Sequence, residues 1–204
     1  MHMLFADKTL GFWARKLLHL FLNGCIAIAA LFVTVPEMKT WTVLGFIAVL
    51  IFESVRLKTQ YKQFLHETVG PLFKTEEALE YSGMFWAAVG ALIIALFARP
   101  LAFSYGFAVL AVSDAGAAMV GRLWPYKPFY MNKTVSGAIA CFVLSAAVTF
   151  VYLHFAHLAY PLLPSMVIMG SIVTLLELFS FPFDDNFLIL VSTAFLMNMA
   201  LGLV

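Results

Sequence analysis

Charge is scarce in this chain of 204 residues. Only 11% of them are Asp, Glu, Lys or Arg, against about a quarter in an ordinary soluble domain. Hydrophobic residues make up 63%, and mean hydropathy is +0.97. So few charges cannot cover so much apolar surface in water, which excludes a soluble globular protein; the same hydropathy excludes a disordered chain. A net charge of +1 supplies no bulk attraction for nucleic acid, so no nucleic-acid partner is expected. Cysteine is scarce too. Cys25 and Cys141 both sit in apolar runs, and two such residues support neither a disulfide framework nor a thiolate metal site. They read as small buried apolar side chains.

Long apolar runs are abundant. A span takes roughly 20 residues, so the length accommodates about six to eight spans and leaves no room for a separate soluble domain. The short-period alternation of a barrel is absent, and lipid-exposed segments must satisfy their backbone internally. The expected fold is therefore all-α, a polytopic integral membrane bundle. Seven spans are expected at 14–35, 41–57, 82–98, 101–122, 135–157, 162–179 and 186–204. The apolar start lacks a convincing cleavage site and is read as retained. The one long polar stretch, 58–81, is read as an interfacial segment. Lys8, Arg15, Lys16, Arg56, Lys58, Lys62, Lys74, Arg122, Lys127 and Lys133 fall on the N-terminal side, while Lys39 and Arg99 fall on the other. That asymmetry puts the N-terminus in the cytoplasm. It also puts the sequon Asn132-Lys133-Thr134 on the side where glycosylation does not occur.

Ionisable residues within spans are costly and default to functional candidates. Arg15, Lys16 and His19 lie on one helical face of the first span, a cationic patch suited to phosphate oxygens. Glu53 and Arg56 stand at i, i+3, where a pair closing a helix end is the plainer reading. Asp114 lies eight residues before Arg122, about 12 Å along a helix. A carboxylate at that depth does not face lipid; it either serves a site or pairs with a Lys or Arg for packing. Ser113, Ala117 and Gly121 repeat at i, i+4, i+8 and would let a neighbouring backbone approach closely. Lys133, Thr134 and Gly137 enter the next span, where N–H groups, Lys and the helix dipole together suit a phosphate. Glu177, Asp184, Asp185 and Asn186 close the set, and with Asp114 they are oxygen-rich in the manner Mg²⁺ prefers.

The topology brings every cluster to the cytoplasmic face. Mixed cations and acids beside lipid point to a polyanion and a divalent metal acting on an apolar substrate, a phosphoryl-transfer arrangement.

The motif order R-K-x-x-H, E-x-x-R, S-D-x-x-A-x-x-x-G-R, K-T-x-x-G and E…D-N resembles the membrane-embedded CTP-dependent lipid kinases. These are the dolichol or polyprenol kinases, phytol kinase and the CTP-dependent diacylglycerol kinase. The resemblance covers about residues 13–192. It implies a single transmembrane catalytic domain over 1–204 that transfers the γ-phosphate of CTP to a membrane lipid alcohol with Mg²⁺. On that resemblance Asp114, Glu177 and Asp185 are the catalytic and metal-holding acids. Arg15, Lys16, His19, Arg122, Lys133, Thr134, Gly137 and Asn186 are the nucleotide- and phosphate-binding residues. The base would be Glu177 or Asp185. Ser136 stands where the family usually has Glu, and Leu123-Trp124-Pro125-Tyr126-Lys127-Pro128 stands where it tends to be Gly-rich. A homodimer is compatible with this reading. The alternatives are a phosphatidate cytidylyltransferase-like enzyme, which would carry a further charged C-terminal signature, and a small transporter, which would show internal repeats. A retinal-binding receptor is excluded because no Lys follows Lys133.

Overall fold

The first apolar run continues through Val33, yet its helix stops at Ala30. In the computed structural model, which describes residues 2–58, 80–130, 133–157, 160–179 and 184–202, Thr34 starts the next helix. The Glu37 carboxylate accepts from both the Thr34 backbone N–H and its hydroxyl, each at 2.8 Å. That is the reaching-back half of a capping box. Pro36 sits in the first turn, where its missing N–H costs nothing. A span expected at 14–35 is thus replaced by α1 (His2–Ala30) and an earlier α2 (Val35–Lys58). Most of the polar stretch expected over 58–81, and Asn132 of the sequon, lie outside the described residues.

The remaining helices fall close to expectation. They are α3 (Gly83–Phe97), α4 (Pro100–Leu123), α5 (Val135–Phe155), α6 (Leu162–Leu178) and α7 (Asp185–Gly202). Among the described residues α2, α4, α5 and α7 are long and apolar enough to cross a membrane, and α3 and α6 are shorter apolar helices. Charge in its first half keeps α1 out of both groups. A two-stranded hairpin, β1 (Pro128–Tyr130) with β2 (Lys133–Thr134), joins α4 to α5.

Helix α4 is the axis of the bundle: 72% of an 18-residue apolar stretch of it is buried, against 11% of the corresponding stretch of α2. It packs on α1, α5 and α7, α3 bridges α7 to α2, and α6 rests on α5. Tyr105, Val109, Leu110, Ile189 and Leu190 are fully buried at its contacts, whereas Leu96, Phe155 and Leu163 turn outward as lipid-facing residues would. Cys141 is buried, as expected. Cys25 is exposed instead, because this stretch of α1 has neighbours on one side only.

Two devices fix the helices around α4. Small residues let α4 and α5 touch backbone to backbone. A Cβ on Gly137 would lie 3.0 Å from the Ala117 carbonyl oxygen and 3.6 Å from Gly121 Cα. Further along the same seam Ser145 donates to Ser113 at 3.0 Å. Deeper still, Ser104 donates to the Ala27 carbonyl at 2.6 Å, and Tyr105 pairs with Thr149 at 2.8 Å. The second device is an ionic clasp between α2 and α3. Arg56 Nη2 donates to Glu53 Oε2 and to the Glu80 carbonyl, both at 2.6 Å. Ser82, which also caps α3, donates to Glu53 Oε1 at 2.6 Å. The pair closes a helix end, as the plainer reading of E-x-x-R has it, and reaches across to a second helix as well.

Both devices make predictions. Gly137→Val should lower stability by about 1–3 kcal/mol, the usual cost of overpacking. Gly24→Ala, where a Cβ meets nothing within 4 Å, should not, and thermal melting in detergent compares them. Arg56→Met strands the fully buried Glu53 carboxylate and should cost about 3–5 kcal/mol. The double change Glu53→Gln with Arg56→Met should recover a large part of that loss.

Candidate functional site

Near its middle α4 widens into a single π turn, Leu110–Asp114. The i→i+5 spacing of such a turn disturbs the ladder, and π turns collect at functional sites. The Leu110 carbonyl interacts with the His19 ring of α1. Asp114 ends the turn, 5% exposed, and its two oxygens accept from Lys16 Nζ at 3.0 and 2.8 Å. His19 Nε2 lies 3.4 Å from Asp114 Oδ2 but makes no hydrogen bond among the described residues.

Two more acids arrive from the other side. Glu177, buried in the last turn of α6, pairs with Lys133 Nζ at 2.8 Å, and the same ammonium donates to the Glu177 carbonyl. At the start of α7 the neighbouring acids divide the work. Asp184 is the cap: its Oδ1 accepts from the Asn186 N–H at 2.9 Å and from Asn186 Nδ2 at 2.8 Å. Asp185 shares that N–H through Oδ1 at 3.0 Å and turns its other oxygen inward, with Oδ2 3.8 Å from Lys133 Nζ. One oxygen each of Asp114, Glu177 and Asp185 lies within 4.8 Å of the other two. Three hard oxygen donors at that spacing fit a divalent cation such as Mg²⁺, and two lysines hold the set together in this structure.

Two arginines share one aromatic ring of α1. The Arg122 guanidinium stacks over the Phe12 ring at 4.3 Å, and Arg15 approaches the same ring at 5.9 Å. The buried Nε of Arg15 has no hydrogen-bond partner among the described residues.

Of the residues expected at the site, the structure gathers Lys16, His19, Asp114, Lys133, Glu177 and Asp185 directly, with Arg15 and Asn186 at the edge. Thr134 and Gly137 spend their polar groups on each other. The Thr134 hydroxyl caps α5 by accepting from the Gly137 N–H at 3.1 Å, so that amide is taken. Ser136, where the resemblance leads one to expect Glu, donates to the Trp124 carbonyl at 2.6 Å and ties the loop down. Lys127 in that loop has φ of 43°, a left-handed conformation that glycine adopts without strain. Sequence reasoning missed Ser82 and Asn23. Ser82 precedes a long apolar helix, which is a cap signal; its bond to Glu53 spans the chain and carries no local signal. Asn23 donates to the His19 carbonyl at 2.8 Å.

The cluster stands at one end of a groove of about 940 Å³ between α1 and α2, floored by α3 and α4. Lys16, His19, Asp114 and Asp185 line its mouth, and past Asn23 its walls are mostly apolar.

Among curated proteins the chain is similar to the CTP-dependent diacylglycerol kinase 1 of Eremothecium gossypii. They are 27% identical over 76% of this chain and 56% of that protein. With the CTP-dependent diacylglycerol kinase 1 of Saccharomyces cerevisiae it is 26% identical over 76% of this chain and 61% of the relative. The chain thus spans less than two thirds of the length of these relatives. No protein-family model matches it, and neither does a solved structure. The resemblance to CTP-dependent lipid kinases is therefore carried by overall sequence similarity as well as by the separate motifs.

Proposed function

We propose that this chain phosphorylates a membrane lipid alcohol with CTP, at the cytoplasmic face of a seven-span bundle. The observation that carries the proposal is the convergence of three carboxylates and two lysines at the end of an apolar groove. Kinship with two CTP-dependent diacylglycerol kinases supports CTP as donor and an alcohol as acceptor. Diacylglycerol, a polyprenol or dolichol, and phytol all present a hydroxyl on an apolar body, and the groove suits that shape.

In this reading Asp114, Glu177 and Asp185 would hold the cation, which would neutralise charge on the triphosphate. Lys133, Arg15 and Arg122 face the phosphates, the unpartnered Nε of Arg15 being one donor ready for them. Lys16 and His19 stand beside Asp114 at the mouth of the groove, at the point where a lipid hydroxyl arrives. The hydroxyl oxygen bonds to the γ-phosphorus as the bond from that phosphorus to the β–γ bridging oxygen breaks, and CDP leaves. The hydroxyl proton passes to Glu177 or Asp185. With little covalent work for the protein to do, positioning and charge stabilisation carry the catalysis.

Purified protein in detergent, given labelled CTP, Mg²⁺ and a panel of lipid alcohols, should label at least one lipid and stop in excess EDTA. Turnover unaffected by EDTA would remove the cation from the scheme. Equal use of ATP would remove the preference for CTP. Lys133→Met should raise the apparent KM for the nucleotide.

Asp114 is both a site candidate and half of an ion pair, and two variants separate those roles. Asp114→Asn should lower activity by about a hundredfold or more, equivalent to roughly 3 kcal/mol of transition-state stabilisation. It also strands Lys16 and should lower the melting temperature. Adding Lys16→Met should restore the melting temperature but not the activity. If the double variant regains normal turnover, Asp114 has no part in the chemistry.

A further inference from the structure

The groove extends far beyond the charged cluster. From Arg15 to Ala30 its α1 wall runs about 22 Å, and from Met38 to Phe52 its α2 wall runs about 21 Å, at 1.5 Å per residue. Both lengths approach the roughly 30 Å hydrocarbon thickness of a bilayer. The two helices are antiparallel and joined by a four-residue turn, 31–34. They diverge nonetheless, because α2 is clasped to α3 while α1 is held by α4. Phe103 and Phe107 of α4 form the floor, with Ala87 and Ala91 of α3. Midway along the α2 wall is Gly45, seven residues from both Met38 and Phe52. A Cβ there would meet nothing within 4 Å, so the backbone faces open space at half depth.

We infer that the groove is the binding site for the hydrocarbon tail of the lipid alcohol, and that Gly45 sets how deep a tail can reach. The inference rests on the lipid-kinase reading. The occupant follows from continuity: the space is apolar and of nearly membrane length, and it begins where the reacting hydroxyl must stand, beside Lys16, His19 and Asp114. Water gains little in a channel with so few polar partners beyond Asn23. A tail entering between α1 and α2 loses no contact with apolar surroundings on leaving the bilayer. Its binding energy comes from packing against the phenylalanine floor. A bulky side chain at Gly45 would close the lower half, leaving room for a short tail above it and none for a long one.

The test compares diacylglycerols with octanoyl and with oleoyl tails in the same detergent, with the full chain as wild type, Gly45→Ala and Gly45→Trp. Wild type and Gly45→Ala should use both. Gly45→Trp should keep the octanoyl substrate and lose activity on the oleoyl one by about tenfold or more, the scale on which a filled apolar pocket discriminates. An unchanged ratio in Gly45→Trp would overturn the inference. A binding measurement covers a variant that fails to fold and stands apart from catalysis. Wild-type protein is photolysed with an oleoyl diacylglycerol carrying a diazirine at the tail end. Adducts should map to Val33, Met38 and Trp41. Adducts confined to Ile139 and Val143, exposed on the outside of α5, would overturn the inference as well. If the adducts map to the groove while no lipid is phosphorylated under any condition, the kinase reading fails and the tail site stands.

Discussion

Three carboxylates within 4.8 Å of one another repel strongly in an apolar bundle, where the effective dielectric is low. The site exists because Lys16 and Lys133 divide that charge between them. Each lysine comes from outside the elements that supply its partner acids: Lys16 reaches from α1 to α4, and Lys133 reaches from the hairpin to α6 and α7. The pairs therefore do two things at once. They neutralise the acids, and they draw four helices and a loop to one point. The π turn, the Leu110 carbonyl beside His19 and the Ser113–Ser145 contact all lie within reach of that point and follow from it.

This balance constrains what enters. A divalent cation placed among the three oxygens competes with two ammonium groups already there. Its arrival is favourable when an anion accompanies it and draws the lysines away. A triphosphate with its metal satisfies that requirement as a unit, whereas a bare cation leaves two lysines without counter-charge.

Much of this was legible in the chain. The spans follow from apolar runs of membrane length, and Asp114, Glu177 and Asp185 are conspicuous because acids are rare inside such runs. The close approach at Ala117, Gly121 and Gly137 follows from small residues at helical spacing. Other features have no local signature. The end of α1 is hidden because Leu31, Phe32 and Val33 prolong an apolar run past the point where the Thr34–Glu37 cap takes over. Asp184 and Asp185 are adjacent and identical in type, and only the direction in which α7 leaves tells the cap from the inward acid. Gly137 sits where a phosphate loop would place a free amide, but Thr134 claims it. The groove is the least legible of all. It depends on α1 and α2 being held by different neighbours, and abundant Phe, Leu and Met describe every membrane bundle equally well.

The π turn in α4 has a consequence for how this chain can change over generations. Loops absorb insertions and deletions readily, and a buried span with regular α geometry is defined mainly by its pattern. Here the wide turn at Leu110–Asp114 holds one residue more than an α turn would. Removing a single residue there would let the turn close to regular α geometry while everything beyond it kept its face, because the wide turn carries that residue over the same rotation. Ala117 and Gly121 would stay against α5, and the change would fall on the turn itself, where Asp114 meets Lys16. A residue removed from the regular turns after Ala115 has no such reserve and would rotate the rest of the helix by about 100°. The wide turn is thus a place where this buried span could lose a residue and keep its packing, at the expense of its acid.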